Sequence, residues 1–136
     1  MTDDQPMPDG FTALTGAGAF IDLIGPLQVA AGGVLGVRVQ PRHLNVDGMT
    51  QGGFLATLVD VALGRAIRAD ADHGTRVATV SLTTDYIRPV PPGAWLEAHT
   101  EVDRVGGRLA FADCSLRSDG KEAVRARAVF AVRADG

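Results

Sequence analysis

One apolar stretch of the chain combines two glycines with a single carboxylate, residue types that suit carbonyl chemistry. Gly52 and Gly53 begin the stretch, and Asp60 lies in its middle. The first N–H groups of a helix lack partners within it and carry the positive end of its dipole, so they can bind a polarised carbonyl oxygen. Glycine has no Cβ and lets such a ligand approach closely. A charge on an otherwise apolar helix costs free energy unless it is paired or used, so Asp60 is a candidate functional residue.

The spacing of these residues constrains how they could act together. Asp60 projects from nearly the same helix face as Gly53, about 10 Å further along the axis. A single carbonyl therefore cannot contact both the helix start and Asp60 of one chain. Two antiparallel copies of the helix would place Asp60 of one chain beside Gly52 of the other, which predicts a C2 homodimer with two shared sites. Two alternatives stay open: the glycines serve close packing only, and Asp60 forms a buried salt bridge, for instance with Arg65 or Arg88.

The hydrophobic pattern indicates which elements hold these residues. It predicts a short amphipathic helix over 17–27, a strand that begins at Leu35, and a central helix from Gly52 to about Ala69 that is apolar almost all round. Further along, the period becomes two, and hairpin signals at Gly106–Gly107 and Asp119–Gly120 separate successive strands. The chain is therefore predicted to be α+β, with one antiparallel sheet curled around one long helix.

Alternation along the later strands predicts which side chains face the helix. In the strand after the helix, Val80, Leu82 and Tyr86 are expected on one face, with Thr79 and Ser81 on the other. The last two strands are expected to turn the following residues inward: Ala110, Ala112, Cys114, Leu116, Val124, Ala126, Ala128, Phe130 and Val132.

Composition limits the class of protein. The 136 residues are 46% hydrophobic with a net charge of -3, and no run of Lys or Arg occurs, so neither nucleic acid nor an anionic membrane is an expected partner. No apolar run is long enough to span a membrane, and the first ten residues do not resemble a signal peptide. The single Cys114 fits a reducing cytoplasm. We expect a flexible lead-in over 1–16 and a single domain over 17–136.

One set of residues spans the loop, the central helix and the end of the next strand: Asn45, Gly48, Gly52–Gly53, Leu55-Ala56-Thr57-Leu58-Val59-Asp60 and Tyr86-Ile87-Arg88-Pro89. Together these residues resemble the hotdog-fold acyl-CoA thioesterases, specifically the PaaI-like (phenylacetate-pathway) group of the 4-hydroxybenzoyl-CoA thioesterase superfamily. The resemblance covers roughly Phe20 to Val132. It implies a hotdog fold, hydrolysis of an acyl-CoA thioester to the free acid and CoA, and a homodimer or homotetramer.

The resemblance also implies roles for individual residues. The Gly52 N–H polarises the thioester carbonyl, and Asp60 of the neighbouring subunit is the general base or nucleophile. Asn45 orients the substrate or water, and Thr79 occupies the position of a Ser or Thr that helps to position the water. Gln51 departs from the family pattern, which usually has His before the two glycines. Gln can form hydrogen bonds but does not titrate near neutral pH.

Substrate-binding residues are expected on the helix and near strand ends. Gly53 belongs to the helix start that receives the substrate. Acyl specificity is expected from the helix side chains Phe54, Leu58, Val61 and Leu63, together with the N-terminal amphipathic segment. Candidates for the phosphates of coenzyme A are Arg88, Arg104, Arg108 and Lys121. The alternative for each of these cations is a solvated charge that keeps a sheet edge soluble.

Other kinds of site find little support. No metal and no cofactor beyond the CoA of the substrate are expected, because His43, His73 and His99 lack metal-ligand spacing. His73 and His99 are expected at the surface, and His43 in an exposed loop, with the mouth of the site as an alternative. Cys114 is expected to be a small core residue. Two other functions stay open: a non-catalytic acyl-thioester binder and an enoyl-thioester hydratase. Gln51 and the lack of a nearby Asp–His pair argue against the hydratase.

Overall fold

One long helix lies against one antiparallel sheet in the computed structural model, which describes residues 7–71 and 75–134. In chain order the elements are β1 Thr12–Ala13, α1 Ala19–Ile24, β2 Gln28–Val29, β3 Leu35–Arg38, α2 Gly52–Asp70, β4 Thr75–Tyr86, β5 Trp95–Val105, β6 Leu109–Ser118 and β7 Lys121–Ala134. The strands are ordered β1-β2-β3-β5-β6-β7-β4, and each neighbouring pair is antiparallel. The α+β prediction is confirmed.

The core lies between one face of α2 and the inner face of the sheet. The buried side chains of α2 are Phe54, Leu55, Leu58, Val59, Ala62, Leu63 and Ile67. Opposite them, the side chains expected to turn inward from β6 and β7 are all buried, as predicted. Many of these are alanines, and their small side chains let the helix approach the sheet closely.

The opposite face of α2 is only partly covered by the sheet, and we call it the open face. Asp60 and Gly64 are half-buried there, beside Thr79 of β4 and Phe130 of β7, whereas Arg65 and Arg68 are exposed. The helix that is apolar almost all round is therefore not buried all round within the single chain. The physical reason is that small residues such as Gly64 resemble core residues in composition, although they leave part of the helix surface open.

A β-bulge in β4 changes which side chains face the helix. Thr79 pairs with Phe130 and Ser81 with Val129, so Val80 is an extra residue between them. One extra residue reverses the alternation of a strand. The prediction that Val80 shares a face with Leu82, opposite Thr79, is therefore wrong: Thr79 faces the helix, and Val80 is 61% exposed.

The two hairpin turns form where the sequence indicates them. Gly106–Gly107 lies in the turn between β5 and β6, and Asp119–Gly120 joins β6 to β7. Asp119 has φ 48° and Gly120 has φ 86°, the left-handed conformations that a two-residue hairpin turn requires.

The N-terminal part of the chain contributes a short edge to the sheet. Within the expected lead-in, Thr12–Ala13 pairs with β2, and Leu14 N–H donates to the carbonyl of Leu27 at 2.9 Å. Residues 1–6 lie outside the described residues. Within the described ranges, no helix is long and apolar enough to cross a membrane.

Candidate functional site

The central carboxylate of α2 is held by a side chain from β4. The Thr79 hydroxyl donates a hydrogen bond of 2.6 Å to Asp60 Oδ1. Short hydrogen bonds to a carboxylate are among the stronger ones in proteins, and this one fixes the orientation of the group. The second oxygen, Oδ2, remains able to accept a proton from a water molecule. The salt bridge considered as an alternative for Asp60 does not occur among the described residues.

The start of α2 presents free backbone donors. The carbonyl of Gln51 accepts the N–H groups of Phe54 and Leu55, while the N–H groups of Gly52 and Gly53 have no acceptor among the described residues. Space around Gly53 is open, since an added Cβ would meet nothing within 4 Å. The helix start can therefore receive a carbonyl oxygen.

Tyr86, at the end of β4, fixes this helix start from the side. Its hydroxyl donates to the carbonyl of Gly52 at 3.0 Å, and its ring would lie 3.6 Å from a Cβ added at Gly52. That distance is an ordinary van der Waals contact, so a Cβ would fit at Gly52 and close packing does not require the glycine. Close packing does not explain Gly53 either, which leaves access to the N–H donors as the use of both glycines.

The loop before α2 is shaped by an asparagine. Asn45 Oδ1 accepts the N–H groups of Asp47 at 2.9 Å and Met49 at 3.1 Å. Gly48 completes the turn with φ 78°. The side-chain oxygen of Asn45 is thus used to hold the loop, and the Nδ2 amide is the part of this side chain that remains for a ligand.

A cavity of about 450 Å³ opens at this loop and the helix start, and we call it the loop cavity. Its wall includes Asn45, Gln51 and Gly53, and Phe20 and Phe54 supply apolar surface. A second cavity of about 250 Å³ lies beside Asp60 and Thr79, and we call it the Asp60 cavity. The structure thus brings Asp60 and Thr79 together in one cavity and places Asn45, Gln51 and Gly53 in another.

His43 is a site residue that the sequence analysis misplaced. It is only 2% exposed, so the expectation of an exposed loop histidine is wrong, and it lines the loop cavity. Its Nδ1 accepts the Gln40 N–H at 2.9 Å, and its Nε2 donates to the carbonyl of Ile24. The ring stacks on Phe54 with 3.9 Å between centroids. Burial lowers the pKa of His43, which favours the neutral ring that this pattern needs.

No local sequence signal marks His43 as a buried residue. Pro41 begins a 3₁₀ turn that ends at His43, and Gln40 and His43 cap each other's backbone N–H groups. A proline at the first position of such a turn is typical, but His at its third position has no strong propensity.

The expected acyl-binding side chains of α2 divide between the cavities and the core. Phe54 lines the loop cavity and Val61 lines the Asp60 cavity. Leu58 is 2% exposed and Leu63 is fully buried, and both lie in the core cluster. Within the single chain, Leu58 and Leu63 border neither cavity.

The expected phosphate-binding arginines do not lie together within one chain. The Arg88 backbone bonds to Ala123 at one end of β7, whereas the carbonyl of Arg108 accepts the N–H of Val132 near the other end. Those two points are roughly 30 Å apart at the usual rise of a strand. Arg104 lies in the same hairpin region as Arg108, and Arg88 also donates from Nε to the carbonyl of Glu122 at 2.8 Å.

His99 and Cys114 line neither cavity. His99 bonds to Glu97 at 3.1 Å on the outer face of the sheet, and His73 lies outside the described residues. Cys114 is buried, and burial raises the pKa of its thiol to about 12, which disfavours the thiolate. Within 7–71 and 75–134, no cluster of three His, Cys, Asp or Glu side chains could hold a metal ion.

Comparison with known proteins identifies the family. Residues 47–124, more than half of the chain, match the family model described as Thioesterase superfamily. The chain belongs to the thioesterase superfamily. This membership confirms the expectation of a thioester hydrolase, and the matched segment contains the helix start, Asp60 and Thr79.

Individual relatives of this thioesterase agree with the family. It is 35% identical over 128 residues to "Putative esterase PA0474" of Pseudomonas aeruginosa, across 91% of this chain and 96% of that protein. It is 33% identical over 78 residues to the acyl-coenzyme A thioesterase THEM4 of Bos taurus, across 57% of this chain and 30% of that protein.

Solved structures show the same fold. The phenylacetic acid degradation protein PaaI of Thermus thermophilus is 26% identical with a TM-score of 0.74, and the match covers 84% of this chain and 98% of PaaI. The BH2602 protein of Bacillus halodurans, solved with CoA, is 22% identical with a TM-score of 0.73, over 79% of this chain and 71% of that one. The expected hotdog fold and the resemblance to the PaaI-like group are confirmed.

Proposed function

We propose that this thioesterase hydrolyses acyl-CoA as a homodimer whose active sites are shared between subunits. The observation that supports this proposal most strongly is that the carbonyl-binding N–H donor and the candidate base are far apart along α2 of one chain. The free Gly52 N–H at the start of α2 and the Asp60–Thr79 pair are about 12 Å apart by helical rise. Antiparallel pairing of two helices places the Asp60 cavity of one protomer against the loop cavity of its partner.

The shape of the chain supports this pairing. The open face of α2 carries small residues, including Gly53, Ala56 and Gly64, which allow two helices to approach closely. Among the described residues, strand β4 pairs only with β7, so its other edge offers unpaired backbone groups along its twelve residues. Val80 is 61% exposed on that edge strand, and a long exposed edge is a template for pairing with a second chain.

The mechanism follows from the groups in the combined site. The Gly52 N–H of one protomer donates to the thioester carbonyl oxygen and stabilises the negative charge that develops on it. Asp60 of the partner accepts a proton from water, and the water oxygen forms a bond to the carbonyl carbon. The carbon–sulfur bond then breaks, the acid and the CoA thiolate separate, and the proton passes to the thiolate. Direct attack by Asp60 as a nucleophile is the variant of this scheme that the same geometry allows.

The neighbouring polar residues position the reactants. Thr79 fixes Asp60 Oδ1, so that Oδ2 is directed to the water. Asn45 and Gln51 line the loop cavity, where their amides can bind the substrate or the water. Gln51 carries no proton-transfer role in this scheme because it does not titrate near neutral pH.

The acyl-CoA substrate is supported by the relatives. THEM4 is named an acyl-coenzyme A thioesterase, and BH2602 was solved with CoA. An antiparallel dimer also brings Arg88 of one protomer to the same end as Arg104 and Arg108 of the other, although they are separated within one chain. We assign these three arginines to the CoA phosphates.

The central role of Asp60 is tested by thiol release from aromatic, short-chain and long-chain acyl-CoAs. We expect Asp60→Asn to lower kcat by at least about 100-fold, because the amide cannot accept the proton. Asp70→Asn, on the same helix at its exposed end, is the matched control and should turn over as the wild type does. Equal activity of Asp60→Asn would remove Asp60 from the mechanism. No turnover by a folded, dimeric wild type would instead indicate an acyl-thioester binder.

Shared sites are tested by mixing two inactive variants. Asp60→Asn and Asn45→Ala form mixed dimers in which one of the two sites is intact, so random exchange should restore about a quarter of all sites. If mixing is demonstrated and no activity returns, the site lies within one chain.

A further inference from the structure

The Asp60 cavity has a second charged end that the proposed mechanism does not use. Asp60 and Thr79 lie at one end, and Arg65 and Arg68 lie at the other. The cavity is small, at about 250 Å³, so it does not suit a long acyl chain. The arginine end lies towards the C-terminus of α2 from Asp60.

A glycine opens the path between these two ends. Gly64 lies on the open helix face between Asp60 and Arg68, where any side chain would fill the cavity. A Cβ added at Gly64 would lie 3.4 Å from the ring of Phe130, so the ring is the floor of the path. Val61 and Val77 supply apolar walls on either side. The middle of the cavity therefore suits methylene groups.

The two arginines have no partner for their charge among the described residues. Neither the Arg65 nor the Arg68 side chain forms an ion pair or hydrogen bond within 7–71 and 75–134. Of the described residues that line this cavity, Asp60 alone is a carboxylate, and it accepts a hydrogen bond from the Thr79 hydroxyl instead. When a dimer encloses this helix face, the two guanidinium groups lose contact with water, which is unfavourable. An anion bound in the cavity would offset that cost through charge-assisted hydrogen bonds.

The helix sets the length of the ligand that would meet them. The Cα atoms of Arg65 and Arg68 lie about 7.5 and 12 Å beyond that of Asp60. Side chains on a helix lean towards its N-terminus, so both guanidinium groups return towards Asp60. The distance that remains between the Asp60 carboxylate and the guanidinium groups matches the length of a dicarboxylic acyl group of roughly four to six carbons.

Resting on the proposed function, we infer that the preferred substrates are CoA thioesters of short dicarboxylic acids, with Arg65 and Arg68 binding the free carboxylate. The thioester carbon lies at Asp60, the methylene groups lie over Phe130, and the terminal carboxylate reaches the arginines. Two guanidinium groups on one carboxylate give charge-assisted hydrogen bonds, which a chain ending in methyl cannot form.

A matched pair of substrates tests this inference: glutaryl-CoA and pentanoyl-CoA have the same chain length and differ in the terminal carboxylate. We expect the wild type to favour glutaryl-CoA by about tenfold or more in kcat/KM. In the variant with Arg65→Gln and Arg68→Gln, the ratio of the two values should fall at least about fivefold. Arg117→Gln, an exposed arginine on β6, is the matched control and should leave the ratio unchanged.

Binding separates a failure of this inference from a failure of the proposed function. The Kd of both thioesters is measured by calorimetry on Asp60→Asn, with and without the two arginine substitutions. Tighter glutaryl-CoA binding that the arginine substitutions abolish supports the inference even if the wild type hydrolyses neither thioester. Hydrolysis of both thioesters at equal kcat/KM overturns the inference about dicarboxylic substrates and still supports the proposed thioesterase function. Dissociation of the dimer in the arginine variant, with an unchanged substrate ratio, overturns it in favour of an interface role.

Discussion

Replacing Thr79 by valine is the sharpest test of how the bulge in β4 serves the site. Valine has nearly the shape of threonine, so the change removes the hydroxyl that donates to Asp60 Oδ1 at 2.6 Å and little else. A hydrogen bond to a charged group contributes about 1.5–3 kcal/mol. If that contribution orients Asp60 in the transition state, kcat should fall by roughly 10- to 100-fold, since about 1.4 kcal/mol corresponds to tenfold.

The assay is steady-state thiol release by wild type and three variants. Thr79→Val should lower kcat with little change in KM, because the hydroxyl does not hold the substrate. Thr79→Ser keeps the donor and should recover most of the activity. Thr83→Val, an exposed position of the same strand, controls for loss of a threonine from β4. Thermal unfolding confirms that each variant is folded.

Two results would refute the reasoning. Wild-type kcat in Thr79→Val would show that the hydrogen bond to Asp60 contributes nothing to turnover. An equal loss in Thr79→Ser and Thr79→Val would show that packing at this position, rather than the donor, determines activity.

The remaining predictions concern two buried groups. The folded state holds the pKa of His43 below its ordinary value, so the unfolded chain binds this proton more readily. At fixed protein concentration, the urea concentration at the unfolding midpoint should be highest above about pH 6.5 and should fall as the pH drops below that value. The variant His43→Phe should reduce this pH dependence. An unchanged pH dependence in the variant would show that other groups cause it. Because the pKa of the Cys114 thiol is about 12, a maleimide at pH 7.5 should label the native protein far more slowly than the urea-unfolded protein. Equal rates would show that the thiol is accessible and reactive.

Local patterns explain why most of the fold could be predicted. The hairpin at Asp119–Gly120 depends on two adjacent residues that readily adopt left-handed backbone conformations. The inward alternation from Ala110 onwards needs no long-range information, since a strand turns every second side chain to the core.

Long-range contacts explain what could not be predicted. No propensity marks Val80 as an extra residue, because the bulge is defined by the pairing of β4 with β7. His43 is buried by contacts with Phe54 and with the carbonyl of Ile24, which are distant in sequence from one another. The open face of α2 escaped prediction because small apolar residues suit a helix interface and a protein core equally well.

The candidate site shows the same division. Asp60 and the glycines stand out in sequence because a charge and two Cβ-free residues are unusual on an apolar helix. The family resemblance implies that Thr79 helps to position the water, and the structure adds a hydrogen bond from Thr79 to Asp60 that the sequence does not indicate. Arg65 was considered only as a salt-bridge partner for Asp60, and the two share a cavity without forming that bridge.

The bulge at Val80 has a consequence for comparing this chain with its relatives. Before it, odd-numbered residues such as Thr75, Val77 and Thr79 face α2, and after it the even-numbered Leu82 and Thr84 do. An alignment that places a one-residue gap elsewhere in β4 would assign the Thr79 hydroxyl to the outer face. Relatives of different strand length must therefore be aligned on the bulge itself before the residue beside the carboxylate can be identified.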